Sequence, residues 1–323
     1  MIFDQKLKEF LQFVDSHSAF IIVGHKEPDG DCIASCLALD ELLRLKGKKT
    51  VLLSAGPFKR IETKAYEHLF NSSFEDTENI KDYGLFIADC STKDRIGEIN
   101  IEITDFDTFI IDHHKTSDNT CKNCMVDSSA PATAYIVQLL FEAIHGEVTK
   151  TAADVLFFGI ATDTGFFRFL EEDSADVFEA ISRLIKKGAS PKKTYNIMTG
   201  GKSFLSRKLL GRHLDNAKTY FDGKLIITYE TPEDTQNFGQ NGRDSDALYQ
   251  ILLAIEGVEA IVNIKQETPE QCTAGFRSIE NIDVSVIAAH FGGGGHKNAS
   301  GASYTSTIDE FIPLILQEFQ KIL

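Results

Sequence analysis

Long apolar runs are missing from this 323-residue sequence. Nothing approaches the ~18 consecutive apolar residues of a membrane helix, so no membrane span is expected. Glycine and proline together number only 30, and charged residues stand at 25%. Disorder, collagen and repeat arrays are therefore poor readings. No secretory leader is expected, since MIFDQKLKEFLQFV alternates Lys and acids through its apolar positions. Tryptophan is absent, and 24 Phe carry most of the aromatic content. A positive surplus is absent too: 33 Lys and Arg face 48 Asp and Glu, a net charge of −15. That argues against a broad basic surface for long DNA or RNA. It leaves room for a small phosphorylated substrate, or for a site that spends its acids on cations. An ordinary acidic surface is the default meaning.

What is present suggests two domains and a large core, with 42% hydrophobic residues. Six Cys stand at 32, 36, 90, 121, 124 and 272. Without a leader they are expected to be thiols in a reducing compartment, which points to the cytoplasm. Cys121 and Cys124 form a CxxC without the second pair of a zinc site. AFIIVGH (19–25), TVLLSA (50–55), YGLFIADC (83–90) and DTFIIDHH (107–114) read as short buried strands alternating with helices. That pattern predicts an α/β fold with a doubly wound parallel sheet and helices on both faces. From Ala130 to about Phe221 the pattern turns helical. TAYIVQLLFEAIHG, AADVLFFGIATD, DVFEAISRLIKKG and FLSRKLLGRHLDNAKTYF are predicted as helices. A smaller α/β domain follows from KLIITYE (224–230). The predicted division is a first domain over 1–195, a helical connector over 196–221 and a second domain over 222–323.

Several strands end in polar residues that a strand terminus does not need. The first ends in His25 and runs into Asp29-Gly30-Asp31, another in Asp89, and another in Asp112-His113-His114. In open parallel sheets, ligands bind beyond the carboxyl ends of the strands. Asp163, after a further apolar run, is a fourth candidate. Singly, each has an ordinary reading: DGD as a loop turn and Asp89 as a helix cap. Together they would place several carboxylates side by side, and these stay ionised only with cations between them. Mixed Asp oxygens and His nitrogens suit Mn²⁺, Fe²⁺, Co²⁺ or Zn²⁺. His25, Asp29, Asp31, Asp89, His113 and Asp163 are too many for one ion and fit two, with one carboxylate bridging. Such a pair could activate a water for phosphoryl displacement.

A second concentration is Phe291-Gly292-Gly293-Gly294-Gly295-His296-Lys297-Asn298-Ala299-Ser300-Gly301. Four successive glycines are poor in a helix or strand. They let a backbone approach a ligand and aim N–H groups at an anion. His296, Lys297 and Ser300 add side-chain donors, and Arg277 on CTAGFRSI is placed to pair with phosphate. The ordinary alternatives are a flexible linker and a surface Arg.

At GHKEPDGDCIAS (24–35), ADCS (88–91), IDHHKT (111–116), ATDTGFFRF (161–169) and FGGGGHKNASG (291–301), the chain resembles the DHH phosphoesterase superfamily. The likeness is to stand-alone members with a C-terminal DHHA1 domain. These are oligoribonuclease/pAp-phosphatase (nanoRNase) enzymes and stand-alone cyclic-di-AMP and pApA phosphodiesterases. The resemblance implies a DHH catalytic domain, two Mn²⁺ ions with Mg²⁺ or Co²⁺ as substitutes, and domains closing on a nucleotide. It assigns His25, Asp29 and Asp89 to one ion, and Asp31, Asp89, His113 and Asp163 to the other. It makes Asp89, Asp112, His113 and His114 the catalytic set, with Asp112 orienting His113 and His114 facing the scissile phosphate. Arg168, Arg277, Gly293, Gly294, Gly295, His296, Lys297 and Ser300 would hold the substrate. Cys90 stands where relatives often have Thr, which raises oxidation sensitivity beside the metals. The lack of a preceding sensor or membrane region points away from the membrane-bound cyclic-di-AMP enzymes.

The expected activity is hydrolysis of short oligoribonucleotides to mononucleotides, or of 3′-phosphoadenosine-5′-phosphate to AMP. Opening of cyclic-di-AMP or cleavage of pApA is the nearest alternative, and a nucleotide sensor that binds without cleaving is the alternative from another class. Expected partners are short oligonucleotides or small nucleotides, with no long nucleic acid and no membrane. Oligomeric state is open to a homodimer.

Overall fold

The computed structural model describes residues 2–76, 80, 82–114, 123–279 and 281–323. The chain forms two compact units, residues 1–201 and 202–323. Among the described residues, no helix is long and apolar enough to cross a membrane.

The first unit runs α1 (Ile2–Ser16), β1 (Ala19–Val23), α2 (Gly30–Leu45), β2 (Lys49–Leu53), β3 (Tyr83–Ala88), α3 (Lys93–Ile96), β4 (Thr108–Asp112), β5 (Cys124–Val126), α4 (Thr133–His145), α5 (Lys150–Asp163), α6 (Ala175–Lys186) and α7 (Pro191–Thr199). Its five strands are all parallel, in the order β2-β1-β3-β4-β5. Successive side chains of a strand point to opposite faces. Phe20 and Ile22 thus join the core built with α1, α2, α4 and α5. Ile21 and Val23 join a smaller core that includes Ile96 of α3 and residues 99–106. On the larger side Phe10, Phe13, Phe20, Phe86 and Phe109 meet at ring-centroid separations of 5.1–5.8 Å. Each such ring contributes about 1.5–3 kcal/mol by burial. The chain leaves β1 toward β2 on one side, and β3 lies on the other. The carboxyl ends of β1 and β3 therefore flank the switch point where open α/β sheets bind ligands.

The second unit runs α8 (Phe204–Asn216), β6 (Lys218–Tyr220), β7 (Leu225–Glu230), α9 (Pro232–Phe238), α10 (Ser245–Leu253), β8 (Ala260–Thr268), β9 (Gln271–Ser278), α11 (Val284–His290), β10 (Gly294–His296), β11 (Ala299–Thr305) and α12 (Ile308–Phe319). Its six-stranded sheet has the order β10-β11-β9-β8-β7-β6. Only β7 and β8 pair in parallel. Residues of α11 and α12 cover one face, and residues of α8 and α10 the other.

Four local readings need correction. The helix expected to run to Phe221 ends at Asn216, and Lys218–Tyr220 pair with β7 instead. Within residues 196–221, α7 packs on α5, and α8 packs on β7 and α9. The glycine run is partly a strand, because Gly294–His296 pair with Ala299–Gly301 as a hairpin. At Gly293 a β-carbon would collide with the backbone of Gly301 and Ala302, so only glycine allows that approach. Finally, β5 at Cys124–Val126 was not foreseen. Cys124 is disulfide-bonded rather than an ordinary thiol. The other half of the CxxC, Cys121, lies outside the described residues, as does the end of the IDHHKT motif.

Candidate metal centre

Six ligand candidates meet at the carboxyl ends of β1, β3 and β4. His25 follows β1 and is 8% exposed. Its Nδ1 lies 2.8 Å from the carbonyl oxygen of Lys26. A carbonyl only accepts, so Nδ1 carries the hydrogen and Nε2 keeps its lone pair. Nε2 faces Asp29 Oδ1 at 3.6 Å and Asp89 Oδ2 at 3.5 Å. It is buried and makes no hydrogen bond. A buried acceptor nitrogen facing two acceptor carboxylates fits a cation. Without one, burial opposes charge on His25, but Asp29 and Asp89 outweigh it and drive its pKa up.

Asp29 is the N-cap of α2 and accepts from the backbone N–H groups of Asp31 and Cys32 at 3.1 and 3.2 Å. Burial raises its pKa, but His25 and the capped amides outweigh burial and hold it at about 2. Asp31, 1% exposed, caps a different helix. The N-cap of α4 is Ala132, which has no capping side chain. Asp31 accepts instead from Thr133 N–H at 2.7 Å and Ala134 N–H at 2.8 Å, where the helix dipole favours negative charge. Burial, and then Asp89, Asp163 and Asp29, still push its carboxyl well above the ordinary range.

Asp89 is 2% exposed and has φ +62°, a left-handed conformation that Asp tolerates better than most residues. Such strain is held only where surroundings over-determine it. Here Asp89 N–H donates to Ile111 O at 2.9 Å, and Thr133 Oγ1 donates to Asp89 Oδ1 at 2.9 Å. His113 Nδ1 lies 3.2 Å from the carbonyl of Ala130. Its Nε2 is thereby turned to Asp163 Oδ2 at 3.3 Å, Asp89 Oδ1 at 3.8 Å and Asp31 Oδ2 at 3.9 Å. Asp163 ends α5, where the helix dipole disfavours a carboxylate. Burial, with Asp89 and Asp29, pushes it up to about 6 despite His113.

Asp112 differs from expectation. Its fully buried carboxylate accepts from the backbone N–H groups of His113 and His114 and from His114 Nδ1, the last at 2.7 Å. It therefore orients the ring of His114, while Ala130 orients that of His113. The bond to Asp112 raises the pKa of His114.

Two overlapping donor sets result. His25, Asp29 and Asp89 surround one position. Asp31, Asp89 and Asp163 face Nε2 of His113, and Asp89 is common to both sets. The groups whose donor atoms all lie within 4.8 Å of one another are His25, Cys32 and Asp89; Asp89, His113 and His114; and Asp31, His113 and Asp163. Sequence reasoning missed Thr133 and the carbonyl of Ala130. An uncapped Ala132 at a strong helix start was the available signal for Asp31 and its amide partners. Cys90 is fully buried, and burial drives its thiol pKa up, which is not the setting of a reactive thiolate.

In the second unit Arg277 lies on β9, an interior strand of the sheet. Its guanidinium sits over the Tyr249 ring, 4.6 Å from the centroid, and Nη1 donates to Phe276 O at 2.9 Å. Gly294, Gly295, His296 and Lys297 are exposed on the hairpin. Ser300 departs from its expected role: its buried hydroxyl donates to Val284 O at 2.8 Å and so fixes the hairpin on α11. In the first unit Arg168 is exposed, stacked on the Phe169 ring at 4.7 Å.

Residues 19–160 match the DHH family, N-terminal domain, and residues 222–323 match the DHHA1 domain. A Thermus thermophilus protein named bifunctional oligoribonuclease and PAP phosphatase NrnA is 29% identical over 285 residues, covering 87% of this chain and 83% of its own. The Listeria monocytogenes cyclic-di-AMP phosphodiesterase PdeA is 26% identical over 96% of the chain, which spans 48% of that protein. The crystal structure of an exopolyphosphatase-related protein from Bacteroides fragilis superposes with a TM-score of 0.85 at 23% identity, covering 98% of this chain and 96% of that one.

Proposed function

The chain belongs to the DHH family of phosphoesterases and ends in a DHHA1 domain, and from that premise we propose a specific activity. The enzyme is Mn²⁺-dependent. It hydrolyses short oligoribonucleotides to mononucleotides and 3′-phosphoadenosine-5′-phosphate to AMP. The observation that carries this reading is the meeting of two His/Asp donor sets at Asp89.

His25, Asp29 and Asp89 would hold one ion, and Asp31, Asp89, His113 and Asp163 the other. Bound there, divalent ions acidify a water and offset charge on phosphoryl oxygens. The protein's own groups do the rest. Thr133 and the α4 amides fix Asp89 and Asp31 before any ligand arrives, which is the preorganisation that such chemistry needs. Asp112 accepts from Nδ1 of His114 and favours the charged ring, and only in that protonated imidazolium is Nε2 a second donor, available to a phosphoryl oxygen. Arg277, His296, Lys297 and the amides of Gly294 and Gly295 would supply cations and N–H groups for a terminal phosphate or base, and Arg168 another. Gly293 drops out of that set, because its N–H already donates to Ala288 O at 2.8 Å. The body carries a net charge of −15, which disfavours long nucleic acid and favours a short substrate.

The relative named NrnA supports the oligoribonuclease and phosphatase reading. The relative named PdeA supports a second one, opening of cyclic-di-AMP or cleavage of pApA at the same site. Turnover with Mn²⁺ should be measured on 3′-phosphoadenosine-5′-phosphate, pApA, cyclic-di-AMP and a ladder of RNA lengths. The first reading expects cleavage of the first substrate and of the shortest RNAs, abolished by chelator. Cleavage of cyclic-di-AMP alone would establish the second, and no turnover of any of them would sink both.

A further inference from the structure

Cys32 faces the same space as the first donor set. It lies in the first turn of α2, three residues beyond Asp29. Its Sγ, a ring nitrogen of His25 and a carboxylate oxygen of Asp89 all lie within 4.8 Å of one another, and all three residues are buried. The sulfur rests against Gly24, where any β-carbon would collide with it. The missing side chain at Gly24 is what lets α2 bring the thiol next to His25.

A second observation points to a ligand here. His25 is more than nine-tenths buried, and its Nε2 has no hydrogen-bond partner. The other ring nitrogen is committed to Lys26 O, so the free lone pair looks toward Asp29 and Asp89. Imidazole, carboxylate and thiol thus converge on one buried position.

We propose that Cys32 is a sulfur donor to the ion held by His25, Asp29 and Asp89. The proposal rests on the two-ion reading given above. It makes the two positions chemically unlike. The first becomes a nitrogen, oxygen and sulfur site suited to Zn²⁺, Co²⁺ or Fe²⁺. The second, with Asp31, Asp89, His113 and Asp163, stays a nitrogen and oxygen site suited to Mn²⁺. Cys36 and burial keep the metal-free Cys32 thiol protonated, as burial does for Cys90. Coordination must therefore exchange a proton for the ion: the S–H bond breaks, the sulfur–metal bond forms, and the proton leaves to solvent. No electron is transferred.

Co²⁺ titration of the metal-stripped, reduced protein tests this directly, because a cobalt-bound thiolate adds a near-ultraviolet charge-transfer band to the visible cobalt bands. Wild type should show that band, and Cys32→Ser should lose it while keeping the visible bands. Cys36→Ser, which removes a neighbouring buried thiol, should keep both. In competition experiments Cys32→Ser should weaken Zn²⁺ binding by at least about tenfold and change Mn²⁺ binding far less. Visible bands for two bound cobalt ions without the near-ultraviolet band in wild type would overturn the sulfur donor and leave the two-ion reading standing. Persistence of the band in Cys32→Ser would overturn it as well. Failure of wild type to take up cobalt at all would sink the two-ion reading itself. If circular dichroism shows that Cys32→Ser does not fold, the wild-type spectrum alone decides.

Discussion

Asp89→Asn is the substitution that most directly probes sharing of one carboxylate between two ions. Asn tolerates the left-handed backbone that Asp89 adopts at φ +62°, and it keeps an acceptor for Thr133 Oγ1. It removes one negative charge and little else. In the metal-free protein two effects oppose each other, since Asp89 disfavours ionisation of Asp31 and Asp163 but is also a partner of buried His25, so each variant's own metal-free melting temperature is the baseline. The response to metal should fall steeply. An ion present at 100 times its Kd stabilises the folded state by about 2.7 kcal/mol, and two by roughly twice that. For a unit of some 200 residues, each kcal/mol moves Tm by about 2–4 °C, so saturating Mn²⁺ should raise wild type by about 10–20 °C. Losing a donor weakens an ion at least about tenfold, which is ~1.4 kcal/mol per ion. Asp29→Asn and Asp163→Asn each touch one ion, so each should forfeit about 3–6 °C of the shift. Asp89→Asn should forfeit about the sum of the two. Thermal unfolding across a Mn²⁺ series, with all four proteins stripped by chelator first, reads these numbers. If Asp89→Asn loses no more than the single-ion variants, the carboxylate does not bridge.

Other expectations follow from the packing and charges around the two sites. Gly159→Ala would place a β-carbon 2.6 Å from that of Ala34 and 2.8 Å from that of Ala134, and 3.3 Å from Asp31 Oδ1. Overpacking of this kind costs about 1–3 kcal/mol, so both Tm and Mn²⁺ affinity should drop, measured by melting and calorimetric titration. In the second unit, burial raises the pKa of Glu230, but His213, Arg243 and Thr235 outweigh it and hold the carboxyl at about 2. A depressed carboxyl stabilises the fold above its unfolded pKa, and that stability is lost as pH falls toward 2. Glu230→Gln should therefore flatten the stability change between about pH 4.5 and 2, followed by circular dichroism. Arg277→Ala should raise KM at least about tenfold and alter kcat less, if the arginine binds substrate and not the reacting bond. A loss confined to kcat would contradict that role.

The strands were legible because their signal is local and redundant. AFIIV and YGLFIA are buried on both sides of a parallel sheet, so an unbroken apolar run is what the fold demands. Short elements were not legible. Cys124–Val126 and Lys218–Tyr220 become strands only because β4 and β7 offer them a partner, which is tertiary information. The glycine run misled for a related reason. Glycine weakens a strand on propensity, yet at Gly293 and Gly295 the backbone of β11 comes so near that a side chain would not fit. Propensity argued against strand where close packing required glycine within one.

The donor residues were legible as types at strand ends, but what each carboxylate is balanced by was not. Asp29 sits on the N-terminus of its own helix and is held at about 2. Asp31 sits on the N-terminus of α4, a helix that begins 102 residues later in the chain. No sequence window shows that pairing. Asp163 has the opposite situation, at the C-terminal end of α5, and it rises to about 6. Asp89 sits on no helix N-terminus; its carboxylate accepts from the Thr133 hydroxyl and faces the imidazoles of His25 and His113. Backbone dipoles thus help to balance Asp29 and Asp31, while Asp89 and Asp163 are left facing His113. A cation gains most where carboxylates lack such balance, so Asp89 and Asp163 are the groups whose charge most needs one. The surplus of acids in the composition therefore has a local meaning at this centre: helix termini stabilise part of the charge, and the remainder is directed at a common point beside two imidazoles.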